Sequence, residues 1–277
     1  MEEQSGTMKV VLYQTNIVWE DKERNYIHLE KKLREINNRK IALFLLPEMS
    51  FTGFSMNTEI TKESNLETVN KMTDYAKKYH IAIGFGWVKD CGEKSENHYT
   101  IVDKEGAIVS DYVKIHPFSF SGEDRKFKGG EKINVFELNG VKFSTFICYD
   151  LRFPEIFQIT SKEAHVILVP ANWPQKRREH WKCLLQARAI ENQVYIIAVN
   201  CVGEIGGIIY SGDSCVINPN GEILIESFGQ EHILEYDLVD DVLDFRNTFS
   251  VKNDRREDLY YKMMTGQDNN GGSINYA

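Results

Sequence analysis

The chain has 277 residues, of which 42% are hydrophobic, 12% aromatic and 27% charged, and its formal net charge is −8. That apolar content can fill a sizeable core, and a single α/β domain of this length is common. The acidic balance argues against a nucleic-acid partner or an anionic membrane surface, since either would call for a basic patch.

The N-terminal stretch MEEQSGTMKV is polar and then enters a strand. No signal peptide is expected from it, and no apolar run approaches the roughly 20 residues that span a bilayer. Residues 9–17 read as a strand. Tyr26, Leu29, Leu33 and Ile36 then recur at spacings of three and four, the mark of an amphipathic helix. IALFLLPE, 41–48, is an apolar run of strand length, as expected for a strand buried on both faces. Residues 64–80 read as a helix and IAIGFGWV, 81–88, as a second buried strand. HYTIVDKEGAIVSDYVK, 98–114, is hairpin-like, with Lys104-Glu105-Gly106 at its turn. Residues 115–132 read as loop. Strands follow at 133–138 and 141–149, a helix at 155–163, a strand at 165–172, a long helix at 177–193 and a strand at 194–200. A last hairpin turns at Pro219-Asn220-Gly221. The tail 265–277 is polar and rich in Gly and Asn, the composition of an exposed arm.

This pattern predicts one α/β domain without linker or repeat, helices lying outside a mixed sheet system. Periodicity does not decide between a doubly wound sheet and a two-sheet sandwich. The five cysteines, Cys91, Cys148, Cys183, Cys201 and Cys215, are odd in number and lack paired short spacings. That argues against a disulfide framework or a zinc ribbon, and free thiols fit a cytoplasmic location.

Three residues stand where an apolar strand ends and a loop begins. Cys148 closes VKFSTFIC. A free cysteine is ordinarily a small buried hydrophobe, but at a strand-to-helix turn, backbone N–H groups and nearby cations would lower its pKa and make it a nucleophile. Glu48 closes IALFLLPE, where α/β sheets place their ligand crevices. It is either a solvated strand-end acid or, partly buried, a general base. Lys114 ends DYVK. It is either a solvated ammonium or a cation for a developing oxyanion. Together they supply what acyl transfer through a thioester requires: nucleophile, proton relay and positive charge.

Leu46-Pro47-Glu48, Lys114-Ile115-His116 and the run Cys148-Tyr149-Asp150-Leu151-Arg152-Phe153-Pro154-Glu155 resemble the signature segments of the nitrilase, or carbon–nitrogen hydrolase, superfamily. The resemblance runs in order from about residue 8 to about 262, through VPANWP and HWKCLLQARAIENQVYIIAVN. KIHPFSFSGEDRKFKGG and ANWP look most like the omega-amidase branch, which acts on monoamides of dicarboxylic and 2-oxo dicarboxylic acids. The resemblance implies a four-layer α-β-β-α sandwich over 8–262, flanked by an extension at 1–7 and a flexible tail at 263–277. It implies no metal and no organic cofactor.

On the same resemblance Cys148 is the nucleophile and Glu48 takes its proton. Lys114 and the Tyr149 backbone N–H hold the oxyanion. A second glutamate, best matched by Glu123 with Asp124 competing, sits against the lysine. Tyr149, Trp173 and Phe118 wall the pocket or belong to the core. Arg152 meets a substrate carboxylate or pairs with Glu155 or Asp150, and Arg177 and Arg178 compete for that role. His116 and His180 read as structural histidines. Ser144, where many relatives have Gly, and Val113, where many have a polar residue, depart from the pattern without touching the chemistry. The expected partner is a small amide. A homodimer or higher homo-oligomer is expected, with Phe153, Phe157 and Trp181 either at its interface or packed inside. N-carbamoyl amide or nitrile hydrolysis would use the same three residues. A redox-sensing or binding protein on the same fold is the reading of another class.

Overall fold

Strand β1 (Met8–Gln14) is buried on both faces: Val10 and Leu12 turn into one core, Val11 and Tyr13 into another. This period-two split is what a strand sandwiched between layers requires. The structure, a computed structural model, describes residues 7–266.

After β1 come α1 (Lys22–Ile36), β2 (Leu43–Leu45), the single-turn α2 (Thr58–Thr61), β3 (Lys62–Glu63), α3 (Glu67–Tyr79) and β4 (Ala82–Asp90). The hairpin β5 (Ser95–Val102) and β6 (Ile108–Val113) leads into the short α4 (Glu123–Lys126). The second half runs through β7 (Val135–Leu138), β8 (Val141–Thr145), α5 (Pro154–Thr160), β9 (Val166–Ala171), α6 (Arg178–Asn192) and β10 (Tyr195–Asn200). It ends in β11 (Val202–Ile205), β12 (Ile208–Ile217), β13 (Ile223–Phe228), β14 (His232–Leu238), α7 (Val242–Thr248) and α8 (Glu257–Met264).

The strands form two seven-stranded sheets. One has the order β14-β1-β2-β4-β5-β6 with β3 beside β4. The other has β11-β12-β10-β9-β8-β7 with β13 beside β12. Each has a parallel centre, β1-β2-β4 and β8-β9-β10, and antiparallel flanks. β14 pairs with β1 from Met8↔Leu238 to Gln14↔His232, so the end of the chain completes the first sheet.

Helices cover the outer faces. Tyr26, Leu29, Leu33 and Ile36 of α1 join Val69, Met72 and Ala76 of α3 over Phe44, Ile83 and Phe85. Full burial of a Leu, Ile, Val, Phe or Met side chain among these is worth about 1.5–3 kcal/mol. Asp21 caps α1 by accepting from Arg24 N at 3.0 Å. Phe157 of α5 and Trp181, Leu185 and Ala189 of α6 cover the second sheet. Between the sheets, Leu12, Leu43 and Leu45 meet Phe143, Leu168 and Ala198. The result is the expected four-layer α-β-β-α sandwich.

Several expected boundaries move. The strand expected over 41–48 is regular only at Leu43–Leu45, because Pro47 has no N–H to continue the ladder. The loop expected over 115–132 contains a 3-10 turn at Ser119–Ser121 and α4. Phe157 and Trp181 pack inside rather than at a surface, and Phe153 stacks on His116 at 3.7 Å. α8 runs two residues past 262. The expected extension and tail lie, beyond residues 7–266, outside the described residues. No helix among the described residues is long and apolar enough to cross a membrane.

Candidate active site

Glu48 is carried by the turn after β2. Ser50 N donates to Gly86 O at 3.1 Å, and Gly86 N donates to Ser50 Oγ at 2.8 Å, so this turn lies directly on β4. A Cβ at Gly86 would stand 2.3 Å from Met49 N and 2.9 Å from Glu48 C, which only glycine avoids. Glu48 is wholly buried. Its Oε1 accepts from Lys114 Nζ at 2.9 Å and from Asn97 Nδ2 at 2.9 Å, and its Oε2 accepts from Asn172 N at 2.9 Å.

Lys114 follows β6, and its N–H extends that ladder to Asn97 O at 2.9 Å. The residue is 1% exposed, and its ammonium donates to Glu48 and to both oxygens of Glu123, the latter at 3.1 and 2.9 Å. Burial alone would push this ammonium down. The adjacent Glu123 and Glu48 carboxylates outweigh burial and hold it above the ordinary lysine range. Glu123 stands at the first position of α4, fully buried, and also accepts from Phe118 N. Burial pushes its carboxyl up, against the pull of Lys114. Asp124 is exposed, so Glu123 is the acid at the site.

Cys148 begins the 3-10 turn Cys148–Arg152 with a φ of +46°. A non-glycine residue in that region costs on the order of 1–3 kcal/mol and persists only where surroundings fix it. Asp150 does so here. Wholly buried, it accepts from Ile147 N at 3.0 Å, His116 N at 3.0 Å and Tyr112 OH at 2.8 Å, and meets His116 Nδ1 at 2.7 Å. Arg188 of α6 donates from Nε and Nη2 to Leu151 O at 3.1 and 2.8 Å. The sharp turn and the Lys114 loop are thus one clamped unit.

The thiol departs from expectation. Burial first, then the negative charge of Glu48, push Cys148 well above the ordinary thiol range, and Lys114 does not reverse this. Two buried carboxylates outnumber one ammonium, so the resting group is a thiol that needs a base beside it.

Lys114, Cys148, Tyr149, Asn172, Phe118 and Trp173 line one cavity of about 280 Å³, together with Arg152, Arg177, Phe54, Met56 and Tyr210. Arg152 lies over the Trp173 ring at 4.8 Å, and Arg177 over the Phe118 ring at 5.2 Å. Neither forms an ion pair among the described residues. Burial and then the charge of Arg177 lower the Arg152 guanidinium. Arg178 is bound to Asp213, with Nε donating at 2.8 and 3.0 Å. Trp173 both lines the cavity and packs on Trp181 at 5.4 Å. His180 contacts Arg152 at 3.3 Å, and His116 belongs to the Asp150 clamp.

The structure therefore brings Glu48, Lys114, Glu123 and Cys148 together, with Tyr149, Trp173, Phe118 and Arg152 around one opening. Sequence reading missed Asn97 and Asn172. Asn97 stands in ENHYTI as one polar residue among several, and only strand pairing aims it inward. Asn172 is the last residue of the strand expected over 165–172, and that strand-end position is the one local signal that could have marked it.

The model for the family described as carbon-nitrogen hydrolase matches residues 9–242. The chain belongs to this family. As a carbon-nitrogen hydrolase it is an enzyme that acts on C–N bonds other than peptide bonds. It is 36% identical to a protein of Bacillus subtilis named 2-oxoglutaramate amidase, over 82% of this chain and 89% of the relative. It is also 36% identical to omega-amidase YafV of Escherichia coli K12, over 78% of this chain and 84% of the relative. Among solved structures, XC1258 from Xanthomonas campestris, a CN-hydrolase superfamily protein with an arsenic adduct in its active site, superposes with a TM-score of 0.85. It is 28% identical, and the match covers 90% of this chain and 97% of that one.

Proposed function

We propose that this carbon-nitrogen hydrolase is an omega-amidase that converts monoamides of 2-oxo dicarboxylic acids, 2-oxoglutaramate or 2-oxosuccinamate, to the diacid and ammonia. The observation that carries the reading is the cavity itself. A buried thiol flanked by Glu48 and Lys114 shares one opening with two guanidinium groups that lack an acid partner among the described residues. A primary amide would meet the thiol while its distal carboxylate meets Arg152, with Arg177 adding charge.

The Cys148 Sγ attacks the amide carbon, and its proton passes to Glu48. The carbonyl oxygen gains the electron pair and is held by Lys114 and the Tyr149 N–H. Lys114 can redirect one N–H to it because two of its donors share Glu123. Collapse of this intermediate breaks the C–N bond, and Glu48 returns its proton to the departing ammonia. Water, deprotonated by Glu48, then attacks the thioester carbon, the C–S bond breaks, and the sulfur regains the proton. Phe118, Tyr149 and Trp173 shield these steps from bulk water.

The hydrolase domain spans 8–262, and the enzyme acts in the cytoplasm, where its free cysteines stay reduced. Exposed Ile159, Ile190, Leu243 and Tyr261 on α5 to α8 support a homodimer. A monomer by light scattering at micromolar concentration would contradict that part.

The test is ammonia release from 2-oxoglutaramate beside glutamine, a carbamoyl-β-amino acid and a simple nitrile, with Cys148→Ala as blank. Release chiefly from the 2-oxo amide is the expected result. Release from the carbamoyl compound alone would move the enzyme to N-carbamoyl amide hydrolysis.

A further inference from the structure

Two buried carboxylates touch Lys114, and a lone-pair count separates them. A carboxylate has about four acceptor positions. On Glu123 all four are taken: Lys114 and Asn97 on Oε1, Lys114 and Phe118 N on Oε2. On Glu48, Oε1 accepts from Lys114 and Asn97, but among the described residues one N–H, that of Asn172, donates to Oε2. Glu48 keeps one open position, on Oε2. Lys114 makes this asymmetry by donating twice to Glu123 and once to Glu48, while the one amide nitrogen of Asn97 closes Oε1 on both acids, at 2.9 and 3.2 Å, and so leaves Glu48 Oε2 as the open position. The orientation of Asn97 is fixed chemically, since turning the amide would set its oxygen against two acceptors. That oxygen, Oδ1, has no partner among the described residues. A buried unpaired oxygen is unfavourable, so the double contact of Nδ2 outweighs it.

We propose that Asn97 is a positioning residue that keeps both acids ionised and directs the thiol proton to Glu48 Oε2. Without its N–H groups the two Oε1 atoms can share a proton between them, as neighbouring carboxylates do. Glu48 would then be occupied before the thiol needs it. This rests on the reading of Glu48 as the base. The titratable groups facing Glu48 are Lys114 after β6, Glu123 of α4, the thiols of Cys148 and Cys201, and Tyr210 of β12.

The experiment uses full-length Asn97→Ala and the near-isosteric Asn97→Asp. Two profiles are read against pH: kcat/KM on 2-oxoglutaramate, and the rate of Cys148 alkylation by iodoacetamide. A base must be ionised to act, so a site that takes up a proton more readily loses activity at higher pH. The acid limb is expected to move up by about one pH unit or more in both profiles, further for Asp than for Ala, with KM little changed. If both profiles keep the wild-type acid limb and only amplitude or melting temperature changes, Asn97 is a packing residue and the proposal is wrong. Should Asn97→Ala not fold, Asn97→Asp decides alone. Glu48→Gln separates the two ideas: if it keeps the wild-type alkylation profile, the base assignment itself fails, whatever Asn97 does.

Discussion

Lys114 Nζ and Glu48 Oε1 meet at 2.9 Å with both side chains buried, and Glu123 closes on the same ammonium. Three charges in so small a dry space leave a net negative site. Burial first, and then that excess, push the Cys148 thiol up, and Lys114 is the cation that offsets the two acids.

Lys114→Met should therefore do two things. It leaves two neighbouring buried carboxylates uncompensated, a change of about 3–5 kcal/mol against stability. On the proposed mechanism it also removes the oxyanion cation, lowering kcat by on the order of a hundredfold or more. Urea melts and steady-state kinetics check both. A variant as stable as the wild type at neutral pH would mean the acids are not charged together.

Gly86→Ala is far from the substrate but not from Glu48. Its Cβ would collide with the backbone at Glu48 and Met49. Displacing a base by a fraction of an ångström is expected to lower kcat at least about tenfold, with a smaller effect on KM. Unchanged kcat would show that the turn yields without moving the carboxylate.

On the proposed function, Arg152→Ala and Arg177→Ala should each raise KM for 2-oxoglutaramate about tenfold, since each removes charge that would meet the substrate carboxylate. A small neutral amide should be turned over as before. If the neutral amide suffers equally, the arginines hold the walls, Trp173 and Phe118, rather than the substrate.

Cys215, on β12, gives a pH signature away from the site. Burial, with Glu226 and Asp213 nearby, pushes its thiol from 9.0 to about 12. The folded chain then holds this proton longer than the unfolded chain does. The contribution is full below about pH 9 and is lost as pH rises towards 12. Cys215→Ala should lose less melting temperature than the wild type between those limits. An equal loss would place the alkaline weakness elsewhere.

Glu48, Lys114 and Cys148 were legible because each ends an apolar run, and a residue at a strand tip faces the crevice whichever sheet carries the strand. Glu123 was legible only by resemblance. Its burial depends on α4, a single turn too short for any periodicity in GEDRKF. The continuous apolar run at β2 and the spacing in α1 marked which residues are buried. They could not say that two sheets would stack, because burial on both faces looks the same under a helix or under a second sheet. Asn97 and Asp150 were silent for a related reason. Their partners lie in other elements, Asn97 between Glu48 and Glu123, and Asp150 against Tyr112 and His116. The direction of the thiol shift was misread because the sequence shows the lysine but neither the burial of the thiol nor the two acids beside it.

The most direct test of a thioester on Cys148 is the intact mass of enzyme quenched in acid during turnover of 2-oxoglutaramate. The account predicts a species heavier by the 2-oxo acyl group, removed by hydroxylamine and absent from Cys148→Ala. Steady turnover with no acyl adduct, or an adduct that survives in Cys148→Ala, would contradict it.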